Sequence, residues 1–326
     1  SFPTRRSSDL TRIYCGIIAD NTYLYLGTDN GILVYNYRTD KYEQPETDFP
    51  TDVRTMALQG DTLWIGSLNG LYTYQLNTKK LASLDSKSNG LPHHTIYSII
   101  RTTDNQIYVG TYNGLCRYIE ESGKFENIPL PVNRSVSNLF VNSLLEDTSR
   151  QCIWIGMEGS LFQYTPATGL MKPIDAFHNN SIKSLALDGD GNLLAGTDNG
   201  LYVYQNDNGT LQHIVHDSRN IQSLTNNIIW NIFADQEQNI WLGTDYGISL
   251  SRYNSALQFI PISQITGTGD GNQFYSLFRD SKGFYWFGGT NGVIRFTNPT
   301  GNKHDAVWYR MGDKHHPLSN NRIRHI

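Results

Sequence analysis

The chain has 326 residues, a formal net charge of −4 and a hydrophobic fraction of 38%, with 20 Tyr, 13 Phe and 6 Trp. This composition excludes an intrinsically disordered chain, and the mild acidity gives no electrostatic footprint for nucleic acid. No apolar run approaches the roughly 20 residues of a membrane-spanning helix.

Ser1-Phe-Pro-Thr-Arg-Arg-Ser-Ser-Asp-Leu10 lacks the apolar centre of a secretory signal and fits no repeat. It matches the translation of a common sequencing adapter. Residues 1–10 are therefore expected to be an assembly artefact, with the native chain, and any signal peptide, extending upstream. The three cysteines, Cys15, Cys116 and Cys152, lack metal-type spacing and read as buried small hydrophobes.

From residue 11 onward one cassette recurs. Its copies are Leu24-Tyr-Leu-Gly-Thr-Asp-Asn-Gly31, Leu63-Trp-Ile-Gly-Ser-Leu-Asn-Gly70, Ile107-Tyr-Val-Gly-Thr-Tyr-Asn-Gly114, Leu193-Leu-Ala-Gly-Thr-Asp-Asn-Gly200, Ile240-Trp-Leu-Gly-Thr-Asp-Tyr-Gly247 and Tyr285-Trp-Phe-Gly-Gly-Thr-Asn-Gly292. A degenerate copy is Ile153-Trp-Ile-Gly-Met-Glu-Gly-Ser160. The first glycines, Gly27, Gly66, Gly110, Gly156, Gly196, Gly243 and Gly288, are 39 to 47 residues apart. That period is the range of propeller blades of four strands each. The cassettes are short, rich in β-branched and aromatic residues, and end in glycine, which favours buried strands over helices.

Each unit parses into four strands. The first carries an Ile-x-x-Ile spacing, as in Ile96-Tyr-Ser-Ile99, Val141-Asn-Ser-Leu144, Ile182-Lys-Ser-Leu185, Ile229-Trp-Asn-Ile232 and Phe274-Tyr-Ser-Leu277. The cassette is the second. The third runs to an aromatic such as Tyr35, Tyr74 or Tyr204, and a weaker fourth lies near Tyr42, Leu81, Phe125, Met171, Leu211, Phe259 and Trp308. The Asn-Gly pairs are hairpin turns needing φ > 0, which Asn and Gly reach at least cost. The earlier glycine, inside the strand, suits close approach of the neighbouring blade. The fold class is all-β, a β-propeller of four-stranded blades, expected to be seven-bladed. Residues 252–272 depart most from the pattern and suggest a boundary between two tandem propellers, with a decorated loop as the alternative. Pro317–Ile326 repeats the approach to an earlier blade and predicts the start of an eighth unit.

Chemical motifs are weak. Asp188-Gly-Asp-Gly-Asn192 opens like a calcium loop but has Leu193 where the sixth-position glycine is needed, so it reads as a hairpin turn. The pairs His93-His94 and His315-His316 would point to opposite faces of a strand, which argues against a shared metal. No cofactor, metal or catalytic residue is expected of this chain. A binding face is the better reading. The loop leading into each blade and the cassette turn fall on one face of the disc. That face should carry Arg54, His93, His94, Tyr112, Asn227, Trp230, Tyr246, Asn272 and Tyr275, an aromatic and donor-rich set suited to sugars.

The pattern at Ile229–Ile248, Ile-x-x-Ile-x-x-Asp and then Ile-Trp-Leu-Gly-Thr-Asp-x-Gly-Ile, resembles the two-component-regulator propeller repeat. So do Asn89-Gly-Leu-Pro-His-His-Thr-Ile96, Ser223-Leu-Thr-Asn-Asn-Ile228 and Gly271–Gly283. The resemblance spans nearly all of residues 11–326; the fourth cassette departs from it, with Met157-Glu-Gly-Ser160 in place of Thr-x-x-Gly. It implies tandem seven-bladed propellers in the periplasm of a hybrid sensor. In that family an immunoglobulin-like domain, a membrane helix, a histidine kinase, a receiver and a DNA-binding domain follow. It further implies an oligosaccharide ligand, homodimerisation of the full-length protein, and no direct nucleic-acid contact or membrane segment here. A protein-interaction scaffold and a glycan-active enzyme stand as alternatives.

Overall fold

The structure, a computed structural model, describes residues 13–323 except 20–21, 44, 46, 86, 132–138, 178–179, 206–207, 219, 221, 253–272, 298–305, 316 and 320–321. The chain is a seven-bladed β-propeller with almost no helix; among the described residues a single 3-10 turn lies at Asp175–Phe177. The first strands of the blades are β1 (Ile13–Ile18), β5 (Val53–Gln59), β9 (Ile96–Arg101), β13 (Val141–Asp147), β17 (Ile182–Leu187), β21 (Ile229–Ala234) and β24 (Phe274–Arg279). Each blade is an antiparallel meander in chain order. The expected fourth strands occur at Lys41–Glu43, Lys80–Leu84, Lys124–Ile128, Leu170–Pro173, Thr210–Ile214 and Val307–Met311. Phe259, expected in the fourth strand of blade six, lies outside the described residues, as does the suspected boundary segment.

The core is divided rather than central. Each of seven hydrophobic clusters joins two consecutive blades. The last packs Ile13, Leu24 and Leu26 of blade one against Trp286, Val293 and Tyr309 of blade seven. Ring closure therefore rests on an apolar cluster between neighbouring blades, as at every other blade pair. Pro317–Leu318 adds a short parallel strand to blade seven, and Leu318 and Ile323 are buried in this closing cluster.

The cassette glycine explains how the blades come so close. A methyl built at Gly196 would stand 2.7 Å from Ile229 Cγ2 on the first strand of the next blade, and at Gly66 2.6 Å from Ile96 Cγ2. The following hydroxyl braces the turn. Thr28, Ser67, Thr111, Thr197 and Thr244 each donate to the carbonyl three residues on, at 2.8–3.1 Å. The turn differs from the expectation in one respect. Only the glycine has positive φ, at +101° for Gly200 and +133° for Gly247, while the residue before it is ordinary. That φ is open to glycine alone, and it explains why Tyr246 can replace Asn in blade six.

The cassette tryptophan is tied to the turn before it. Trp154, Trp241 and Trp286 donate their indole N–H to Asp147, Asp235 and Asp280, at 3.1, 2.9 and 2.8 Å. Burial by itself raises the Asp147 carboxyl, but the Ser149 hydroxyl, the Trp154 indole and Arg150 together hold it below the ordinary carboxylate value. Asp188 binds the backbone N–H of Asp190 and Asn192 at 3.0 and 2.8 Å, so it closes a hairpin turn as expected.

Candidate ligand-binding site on the propeller axis

The Ile-x-x-Ile spacing is the origin of the site. Residues three apart on a regular strand face opposite sides. Yet Ile229 and Ile232 lie in one cluster, as do Val141 and Leu144, and Ile182 and Leu185. The register shows how. Pairing skips one residue in every first strand, from Ile13 to Cys15, Val53 to Thr55, Ile96 to Ser98, Val141 to Ser143, Ile182 to Ser184, Ile229 to Asn231 and Phe274 to Ser276. Such a bulge resets the phase of the strand and re-aims the skipped side chain.

The seven skipped residues are Tyr14, Arg54, Tyr97, Asn142, Lys183, Trp230 and Tyr275. All seven line one cavity of about 320 Å³, joined by Phe140, Glu158 and Ser181. The cavity opens on the face of the cassette turns, because each first strand begins where the second ends, as in Ile229 opposite Thr244. Two other cavities of about 570 Å³ each draw on a single pair of neighbouring blades. Of these three, the axial one draws on all seven blades.

Its walls are mutually braced. The Arg54 guanidinium lies 3.7 Å from the Tyr14 ring centre, and the Lys183 ammonium 4.8 Å from that of Trp230. Trp230 meets Tyr275 edge-on at 6.1 Å, and its indole N–H donates to Asp245 on the cassette turn. Tyr97 packs on Phe140 at 4.1 Å. Glu158 accepts from the Ser181 hydroxyl at 2.6 Å and the Asn142 amide at 3.4 Å. Burial pushes the Tyr97 phenol up, and the Arg54 charge opposes this only in part, so Tyr97 remains a hydroxyl donor at neutral pH.

Of the residues expected on this face, Arg54, Trp230 and Tyr275 meet in the cavity. His93, His94 and Tyr112 form a second group beside it. The imidazoles stack at 4.3 Å, His93 lies 5.3 Å from Tyr112, and Tyr112 lies 5.5 Å from the cavity wall at Phe140. The two histidines can stack because they sit in a bent loop rather than a strand. Burial, and then the charge of His94, lowers the pKa of His93. Among the described residues no group of three or more His, Cys, Asp or Glu could hold a metal.

Asn227 stands apart from the cavity. Its side-chain oxygen accepts the His216 N–H at 2.6 Å and its carbonyl the Gly200 N–H at 2.7 Å, which fixes the loop leading into blade six against the preceding turn. Tyr246 is 60% exposed at its turn tip. Asn272 and His316 lie outside the described residues. Sequence reasoning passed over Tyr14, Tyr97, Phe140, Asn142, Glu158, Ser181 and Lys183. The second position of Ile-x-x-Ile, already marked at Trp230 and Tyr275, gives Tyr97, Asn142 and Lys183 when followed through every repeat. Glu158 comes from the degenerate cassette, whose departure from the pattern was its signal.

Residues 90–113, 223–246 and 268–291 match the two component regulator propeller family. The chain thus carries three stretches similar to that repeat. Each matched stretch holds a first strand with its skipped residue, Tyr97, Trp230 or Tyr275, so the family unit is also the unit that supplies the axial ring. Among curated proteins the chain is 29% identical over 315 residues to Histidine kinase P4 of Formosa agariphila, covering 85% of this chain and 21% of that protein. Crystal structures of an extracellular domain from B. thetaiotaomicron are 80% and 81% identical, each with a TM-score of 0.73. One is described as a one component system and the other as a hybrid two component system. They cover all of this chain, which spans 44% of their length. An inactive virginiamycin B lyase from Staphylococcus aureus, 14% identical with a TM-score of 0.63, shares the fold alone. Among the described residues no helix is long and apolar enough to cross a membrane.

Proposed function

We propose that this propeller is the periplasmic ligand-sensing part of a hybrid two-component regulator and takes a glycan-derived oligosaccharide in its axial cavity. One observation carries the proposal: all seven blades deliver one bulged side chain to a single cavity, and those side chains combine four aromatic faces with three polar donors. Sugars present C–H patches that stack on rings and hydroxyls that take hydrogen bonds, and such mixed linings are typical of ligand sites. The similarity to extracellular domains and to a histidine kinase supports placing the propeller outside the cytoplasm, with a kinase elsewhere in the full protein. Binding signals only through a difference in ligand affinity between two arrangements of the sensor. Under this proposal a ligand touching every blade meets that requirement by favouring one arrangement of the disc against the rest of the sensor.

Calorimetry of the chain against a panel of glycan fragments tests this. Saturable binding of one fragment is expected, weakened at least about tenfold by Trp230→Ala, which removes a stacking face. Absence of binding by every fragment, or binding indifferent to Trp230, would refute it. Turnover of a bound fragment would instead favour an enzyme.

A further inference from the structure

The charge of the axial cavity narrows its ligand. Two cations face into it, Arg54 from blade two and Lys183 from blade five. Each rests on an aromatic face, and Arg54 also has a carboxylate within ion-pair range. Asp52 approaches Arg54 only to 3.7 Å, and the buried Arg54 Nε has no hydrogen-bond partner. Among the described residues no carboxylate lies within 4.0 Å of the Lys183 nitrogen. Glu158, the carboxylate lining the cavity, is already engaged by Ser181 and Asn142. Aromatic contact fixes the position of a cation and leaves its N–H groups to serve an acceptor.

We infer that the axial cavity selects an acidic oligosaccharide, whose carboxylate or sulfate is held by Arg54 and Lys183 while its rings stack on the axial aromatics. The inference rests on the sugar-binding reading above and adds the charge to it. A guanidinium and an ammonium in one partly buried cavity suit an anion with several acceptor oxygens. Glu158 at the same wall disfavours a charge on every ring, so one acidic group flanked by neutral sugar is the better fit.

Matched pairs of probes test it on the chain. Glucuronosyl-xylobiose is compared with xylotriose, and a monosulfated galactobiose with galactobiose, each at low and high salt. The acidic member of at least one pair is expected to bind about tenfold or more tightly than its neutral partner. Its affinity should fall with salt while the neutral one holds. The pair that discriminates tells carboxylate from sulfate. Lys183→Met, which keeps the aliphatic stem, should weaken the acidic ligand by a larger factor than the neutral one and so narrow the gap between the two. The salt series on the unaltered chain gives the same answer should that variant fold poorly. Neutral probes binding as tightly as acidic ones would overturn the inference and leave the sugar reading standing. No binding by any probe would overturn both.

Discussion

Gly196→Ala isolates the closeness of the blades from every other role of the cassette. Gly196 lies within its strand without a positive φ, so alanine meets no backbone penalty there. Its methyl would stand 2.7 Å from Ile229 Cγ2 and 3.2 Å from Ile229 Cβ. Carbon atoms prefer about 3.5–4.0 Å, so the overlap approaches an ångström. Ile229 is fully buried at the start of its strand, and its branch point cannot swing away. Overpacking of this kind costs about 1–3 kcal/mol, and the rigid neighbour puts Gly196→Ala near the top of that range. At about 2–4 °C per kcal/mol for a large domain, thermal unfolding should start roughly 4–10 °C lower. Ile229→Ala removes Cγ2 and costs about 2–5 kcal/mol for the cavity it leaves. On that background the added cost of Gly196→Ala should fall below about 1 kcal/mol, a coupling that a double-mutant cycle in urea reads directly. An equal penalty on both backgrounds, or none on the unaltered one, would refute the close-approach account.

Trp241→Phe removes the indole N–H that meets Asp235 at 2.9 Å in a buried site, and should cost about 1.5–3 kcal/mol in a urea titration. Asp147 has a folded pKa held below its unfolded value, so the stability it contributes is present above the unfolded value of about 3.9 and is lost as pH falls through the folded one. The stability gap between the unaltered chain and Asp147→Asn should therefore be widest at neutral pH and close as the solution becomes strongly acidic, as a pH series of melting curves will read. Burial pushes the Cys15, Cys116 and Cys152 thiols up, so none should react with a thiol reagent at pH 8 until the fold is opened with denaturant. Rapid labelling of the native chain would contradict their burial.

The architecture was legible in the sequence because its causes are local. A turn glycine, a bracing hydroxyl and a buried apolar strand act within a few residues of one another, and they repeat in phase. The in-strand glycine was readable for the same reason, since loss of Cβ has few uses inside a strand. The site was legible only in part. Arg54, Trp230 and Tyr275 were expected on one face and do line the candidate cavity, but Asn227 carries the same residue chemistry and is spent on holding a loop.

Period, strand content and turn chemistry were thus determined by the sequence alone. The tertiary structure decided that one bulge per blade turns seven unrelated side chains toward a common axis, and that the last blade packs on the first. No local rule holds that information. Tyr14 and Tyr275 are 261 positions apart in the chain, and they share a cavity because inter-blade packing curls the row of sheets into a closed ring.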